Sequence, residues 1–479
     1  MVYDILIIGA GVVGGMLARE LSKYNLSVCL LEKENDVSCG ASKANSGIIH
    51  GGFDPEPGTL KAKLNTLGVP LLYQAAEELH VPYVRNGSLV CAFSAEEEPE
   101  IHNLYQRGLE NGISGMRILS GDEARELEPN LSTAVTEALH IPSAGIISPY
   151  DLTIAAIGNA MDNGVSLLRN FAVAEIRATG EGYAVTSQNG DVVSGRLLIN
   201  CAGGKSDAIA RLAGDDSFTI IPRAGEYMLL DKAEGARVKH TIFQIPSKEG
   251  KGILVSPTAH GNLLVGPTAG VVSSADAKST TPEGLAQVRR LSAKSVPSVD
   301  YRQVITSFTG VRSSEKDGDF IIRWADSGVK MLHVAAIDSP GLTCCVAIAQ
   351  YVVDLLKKDG LVLAEKESWN GIRENICAFR EMSDDDKNAY IQKNPAYGKI
   401  VCRCELVSEG EILAAIRQNP GARDIDGVKR RTRSGMGRCQ GGFCGPYVMD
   451  LISRELGIPM EQVTKNGANS LMVTERIGE

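Results

Sequence analysis

Two sets of residues in this chain have the type and spacing to do chemistry. Towards the C-terminal end, Cys402 and Cys404 form a Cys-x-Cys pair, and Cys439 and Cys444 a Cys-x4-Cys pair further on. Four thiolates brought together would ligate a metal centre. Structural zinc is one occupant, although its common paired loops place two to four residues between the cysteines, a spacing that Cys-x-Cys fits poorly. At the other end of the chain, Gly9-Ala10-Gly11-Val12-Val13-Gly14 offers backbone that can wrap a pyrophosphate, and Glu32, about twenty residues on, offers a carboxylate for ribose hydroxyls. His50 follows in the run Asn45-Ser46-Gly47-Ile48-Ile49-His50-Gly51-Gly52. Its imidazole is either a proton acceptor at a reacting centre or a histidine satisfied in a turn.

The elements that position these groups are readable nearby. Ile5-Leu6-Ile7-Ile8 reads as a buried strand, the glycine run as a turn opening a helix, and Val28 to Glu32 as a second strand. Gly9 permits the turn, Gly11 lets a pyrophosphate approach the helix N-terminus, and Gly14 lets that helix lie close on the strand. With all parts in order, the unit is a dinucleotide site, its adenosine end marked by Glu32 and Lys33. Residues 35–52 are too small and polar to build a core but can wrap a cofactor, for which a flavin is the natural candidate. Asn45, Ser46 and the backbone at Gly47 would donate to it. Helical patterning runs from Leu60 to about Leu79, and the alternation from Val81 to Phe93 suits a hairpin turning at Asn86-Gly87. Arg196 to Asn200 is a further buried strand, ending at Gly203-Gly204 with a second contact to the cofactor. From about Ala213 to Thr306, strand patterns alternate with glycine and proline turns and read as the sheet of a substrate domain. His333 to Ile337 is the last strand, and Asp338-Ser339-Pro340-Gly341-Leu342-Thr343 opens a long helix whose first N–H groups and dipole would face the flavin. Cys201, Cys344 and Cys345 read as buried filling.

Composition sets the outer bounds. A chain of 479 residues exceeds one compact core, so two or three domains are expected. A net charge of -9 argues against nucleic acid or an anionic membrane as a general partner. No apolar run approaches a membrane span, and the cytoplasm is the expected location. Eleven cysteines without a secretory signal read as reduced thiols, metal ligands or redox groups, not as a disulfide framework.

The Gly9–Gly14 fingerprint, the Asn45–Gly52 run and Ser339-Pro340-Gly341-Leu342-Thr343 resemble those of FAD-dependent glycerol-3-phosphate dehydrogenases and oxidases. They equally resemble the relatives of these enzymes that act on L-2-hydroxyglutarate, all in the D-amino-acid-oxidase-like class. The resemblance covers roughly the first three quarters of the chain. It implies an α/β fold, α+β overall: a Rossmann-like FAD-binding domain, and a mixed or antiparallel sheet roofing the flavin ring. Residues 1–80, 140–212 and 305–365 would form the first, and 81–139 and 213–304 the second. It also implies backbone contacts to FAD from Val173, Gly203, Gly310, Gly341, Leu342 and Thr343. Tyr227, in Gly225-Glu226-Tyr227, and Lys251, in Gly250-Lys251-Gly252, become candidate substrate groups. Arg312, after Gly310-Val311, would hold the substrate's acidic group, since a planar, permanently charged fork suits carboxylate or phosphate.

Beyond a charged linker over 366–398, residues 399–479 with their four cysteines and Gly427 to Arg438 resemble a small helical module. It is the bacterioferritin-associated-ferredoxin-like [2Fe-2S] domain appended to anaerobic glycerol-3-phosphate dehydrogenases. The two resemblances together imply oxidation of sn-glycerol 3-phosphate to dihydroxyacetone phosphate. His50 takes the hydroxyl proton, a hydride goes to FAD, and electrons leave through the cluster to a protein subunit of a larger, oligomeric assembly. Membrane association would then come only through a partner. An L-2-hydroxy acid substrate, or an electron-transfer flavoprotein subunit without its own substrate, are the alternatives.

Overall fold

The computed structural model describes residues 2–245 and 252–473. Its first sheet grows from the apolar N-terminal run. The strand Val2–Ile8 pairs in parallel with Val28–Leu31 on one side and with Val192–Asn200 on the other. Strands buried on both faces require unbroken apolar runs, and Ile5, Leu6 and Ile7 are fully buried. Alternation divides them: Ile5 and Ile7 face a core shared with the helices Val12–Leu21, Pro149–Asp162 and Gly341–Lys358, while Leu6 and Ile8 face a second core on the opposite side. Ser166–Leu168 extends the sheet beyond Val28–Leu31. The strand Val192–Asn200 pairs antiparallel with Gly182–Ser187 through its first half and parallel with Met331–Ala335 through its second. Eight strands result, and the glycine turn lies where the first of them meets its helix.

The second sheet has nine strands and is mostly antiparallel. Its axis is Ile221–Leu230, which pairs along its length with Val304–Ser314, from Ile221 opposite Ser314 to Leu230 opposite Val304. The helix Pro282–Ser295 packs on it, and Glu226 explains how. Its buried carboxylate accepts from the Thr281 N–H at 2.7 Å and the Thr281 hydroxyl at 2.8 Å, placing negative charge at the positive end of that helix.

The hairpin expected across Asn86-Gly87 does not form. Gly87 does turn the chain, at φ +67. Tyr83–Val84, however, pairs with Gly145–Ile147 in a small three-stranded sheet, and Ser88–Ala92 pairs with Glu137–Ile141 and Thr241–Gln244. All five residues of Ser88–Ala92 are buried in the interior of the large sheet, so both of its edges go to long-range partners.

The C-terminal segment is helical around its own core. Helices Glu409–Arg417, Ile425–Thr432 and Gly445–Leu456 enclose Ile412, Ile416, Val428, Val448 and Ile452. Its contact with the first sheet is polar. Asp36, fully buried in the loop after Val28–Leu31, accepts from Arg430 Nη2 at 2.6 Å and from Arg431 Nη1 and Nη2 at 2.7 Å each. Among the described residues no helix is long and apolar enough to cross a membrane.

Burial pushes the Asp36 carboxyl up, but the charges and hydrogen bonds of Arg431 and Arg430 outweigh it and hold the group well below the usual carboxylate range. Its folded value is depressed, so its stabilisation is complete above the unfolded value, about pH 4, and is lost as pH falls through the folded one. Asp36→Ala should therefore destabilise the protein by about 3–5 kcal/mol near neutral pH, by stranding two buried arginines. Thermal unfolding across pH checks this, and the gap between variant and parent should narrow in acid.

Candidate active site

A cavity of about 1090 Å³ lies between the two sheets. Small-molecule sites span roughly 300–1,000 Å³, so this one suits a large cofactor together with a substrate. One group of lining residues belongs to the turns of the first sheet: Gly9, Gly11, Glu32, Lys33, Asn45, Ser46, Gly47, Val173 and Gly203. Tyr227, Gly310 and Arg312 come from the second sheet, and His50, Gly341 and Leu342 from segments that follow Ile48–Ile49 and Met331–Ala335. Gly14 stays outside the lining and serves packing, since a Cβ there would lie 2.0 Å from the Gly9 carbonyl oxygen. Gly310 has a parallel role. A Cβ on it would lie 1.8 Å from the Ala44 oxygen, so only glycine lets the strand Val304–Ser314 meet the loop below.

Glu32 accepts from the Ala10 N–H at 2.9 Å and the Glu34 N–H at 3.0 Å, which fixes its carboxylate beside the turn. Lys33 pairs with Glu34 at 3.3 Å and Asp276 at 3.6 Å, and Lys205 reaches the same Asp276 at 2.8 Å. A loop of the second sheet is thereby latched over the first. Asn45 shapes its own loop: Oδ1 accepts from the Gly47 N–H at 2.8 Å while Nδ2 donates to the Ala41 and Ser42 carbonyls. Ser46 Oγ lies 3.1 Å from the Tyr227 hydroxyl, and Tyr227 stacks on Phe308.

His50 is braced on several sides. Its N–H donates to Thr343 Oγ1 at 2.9 Å, its carbonyl accepts from Asn65 Nδ2 at 3.0 Å, and its Nε2 lies 3.2 Å from Ser339 Oγ. Thr343, expected at the cofactor, is absent from the lining and holds His50 instead. Its hydroxyl is already engaged, donating to the Ile48 carbonyl at 3.4 Å. The Arg312 guanidinium crosses above Gly225, where a Cβ would lie 2.9 Å from Nη2, and approaches the Thr268 carbonyl at 3.5 Å. Lys251 lies outside the described residues, although Gly252 beside it lines the cavity.

Ser42 and Arg223 are among the lining residues that escaped the sequence reading. Ser42 Oγ accepts from the Val12 N–H at 2.8 Å, at the start of the first helix, and nothing in a small-residue loop distinguishes that serine. Arg223 stands opposite Arg312 in the strand pairing and shares a face with Tyr227, which two-residue alternation from Tyr227 would have indicated.

The four C-terminal thiols are gathered as two pairs. Cys404 Sγ lies 3.6 Å from Cys439 Sγ, and the Cys444 thiol donates to Cys402. That hydrogen bond, against burial, and the N–H groups of Gly435, Glu405 and Cys404 bring the Cys402 thiol down to about 5. The N–H groups of Phe443 and Gly441 point at Cys439 in the same way. Among the described residues no three His, Cys, Asp or Glu side chains are disposed around a single ion. Two thiolate pairs under N–H donors suit an anionic cluster with two irons, each taking two cysteines, better than one tetrahedral zinc.

The family described as FAD dependent oxidoreductase matches residues 4–355. The chain belongs to that family. A BFD-like [2Fe-2S] binding domain matches residues 400–454 and contains all four cysteines. This FAD-dependent oxidoreductase is 45% identical over 472 residues to a glycerol 3-phosphate dehydrogenase of Caloramator mitchellensis, covering 98% of each chain. It is 34% identical over 378 residues to a glycerol 3-phosphate oxidase of Mycoplasma pneumoniae, covering 77% of this chain and 97% of the relative. The solved structure of dithionite-reduced L-alpha-glycerophosphate oxidase from that organism, with FAD bound, superposes with a TM-score of 0.74, covering 78% of this chain and 98% of the other. FAD and a [2Fe-2S] cluster are thus the cofactors of this oxidoreductase, and the glycine-lined cavity and the paired thiols are what would hold them.

Gly310→Ala forces the Ala44 loop away from the strand above it. The variant should purify with less than stoichiometric FAD, read from the flavin-to-protein absorbance ratio, and regain it only at high added FAD.

Proposed function

We propose that this oxidoreductase converts sn-glycerol 3-phosphate to dihydroxyacetone phosphate and delivers the electrons to a protein acceptor. The observation that carries the reading is the match to a glycerol 3-phosphate dehydrogenase over 98% of both chains, cluster module included. When bound, FAD would supply a hydride acceptor and the cluster a one-electron relay. The chain's own residues do the rest. Arg312 binds the phosphate, its fork placed by the gap at Gly225, and Arg223 across the strand pair adds charge at the same wall. His50 receives the hydroxyl proton, with its backbone pinned by Thr343 and Asn65 and its ring set against Ser339. Tyr227 and Ser46 close one side of the cavity. Gly341 and Leu342 line the cavity at the start of the helix Gly341–Lys358, so the positive end of its dipole would favour an anionic reduced flavin.

Electrons leave at the exposed ligand loops of the cluster module. Cys404 is exposed, as are Leu406 and Phe443, the latter with 87% of its surface open between Cys439 and Cys444. An acceptor protein approaching there comes directly against the ligand loops.

Anaerobic addition of glycerol 3-phosphate should bleach the flavin of the holoenzyme, and L-2-hydroxyglutarate should not. The reverse pattern would move the chain to the hydroxy acid, and bleaching by neither would make it an electron-transfer subunit. His50→Ala should retain FAD and slow bleaching by about 10²–10⁴-fold; an unchanged rate removes His50 as the base.

A further inference from the structure

One buried side chain touches all three parts of the molecule. Arg433 follows the helix Ile425–Thr432 in left-handed backbone, at φ +67, and is 7% exposed. Its Nε donates to Glu405 Oε2 at 2.9 Å, its Nη1 to the Tyr150 hydroxyl at 3.2 Å, and its Nη2 to Asn262 Oδ1 at 2.9 Å. Glu405 immediately follows Cys404, Tyr150 begins a helix of the first sheet, and Asn262 precedes Leu263–Gly266 of the second. A planar guanidinium with separated donors can serve three such partners at once.

Both ends of this junction run on to a cofactor site. On one side, Tyr150 lies three residues beyond Ile147, whose N–H donates to the carbonyl of Gly47 in the cavity lining at 2.7 Å. His260 stacks on Tyr150 and lies 3.0 Å from Asp151, so the tyrosine is held on both faces of its turn. On the other side, Gly435, two residues beyond Arg433, turns its N–H to Cys402. Glu405, 4% exposed, also receives Lys232 at 3.0 Å and Arg380 at 3.2 Å. Three cations converge on one carboxylate beside a cluster ligand.

We propose that Arg433 is a positioning residue for electron transfer within the chain: by bridging Glu405 to Tyr150 and Asn262 it holds the cluster loops against the flavin loop, and its charge stabilises the reduced cluster. The transfer is one electron from reduced flavin to the oxidised cluster, which lowers one iron from ferric to ferrous; the second follows when the cluster has passed the first to an acceptor. The proposal rests on the reading that flavin and cluster work in series, but not on the identity of the substrate.

The experiment uses the holoenzyme with its flavin photoreduced in the presence of EDTA, so that no substrate is needed, and follows flavin and cluster absorbance separately. The cluster's midpoint potential is measured by redox titration monitored by EPR. In Arg433→Met the flavin should be reduced as in the parent, while cluster reduction lags behind it and the midpoint potential moves to more negative values. Arg433→Lys, which keeps the charge but not the three-way fork, should restore the potential and leave the lag. Arg380→Gln removes a charge from Glu405 without touching Tyr150 or Asn262, so it should shift the potential and keep the fast phase. Parent-like rate and potential in Arg433→Met would overturn the proposal. If Arg433→Met loses its cluster, the lysine and Arg380 variants decide: no lag in the first overturns it. Failure of glycerol 3-phosphate to bleach the parent, with photoreduction still reaching the cluster, would sink the substrate reading and leave this one standing.

Discussion

A fully buried carboxylate joins the two redox modules. Asp36 belongs to the loop that follows the second strand of the cofactor fold, yet both of its charged partners, Arg430 and Arg431, come from the cluster module. Desolvating three charged groups is costly, and three guanidinium N–H groups on the carboxylate, two of them a bidentate pair from Arg431, offset it. Nearby, Asn35 donates to Asp424 Oδ2 at 2.7 Å, and that carboxylate caps the helix carrying both arginines. The turn that cradles one cofactor and the helix that leads towards the other are thus parts of one polar network. An apolar interface of the same area would permit sliding; a buried ion triad has a single register.

Within the flavin portion, the division of labour follows from strand alternation. Along Ile221–Leu230, Arg223 and Tyr227 line the cavity, with Gly225 between them leaving room for Arg312 from the neighbouring strand. Glu226 points the other way and anchors a helix. One short motif therefore serves recognition on one face and scaffolding on the other. The same economy holds around His50, whose main chain is tied to Thr343 and Asn65, so that its ring is placed by elements remote in sequence.

The cluster site depends on backbone direction as much as on sulfur. N–H groups from both loops converge on Cys402 and Cys439, and Gly437 leaves no room for a side chain, since a Cβ there would lie 2.4 Å from Cys404 Cβ. Those N–H groups favour the thiolate at Cys402 and Cys439 and would stabilise an anionic cluster.

The sequence by itself determined the dinucleotide turn, the apolar strands around it, the four cysteines and the family resemblance. These features are local: a glycine needed for a close approach, an unbroken apolar run and a pair of thiols each report a requirement met within a few residues. What only the tertiary structure decided is non-local. The strands on either side of Gly87 went to different sheets because the interior strand needed partners on both edges. Thr343 ties down the backbone of His50, and Ser42 and Arg433 acquired roles that no spacing announces. An arginine or a serine has the same pattern in sequence whether it meets water or a buried acceptor, and which it meets is settled by chain segments hundreds of residues away, Asp36 with Arg430 and Tyr150 with Arg433.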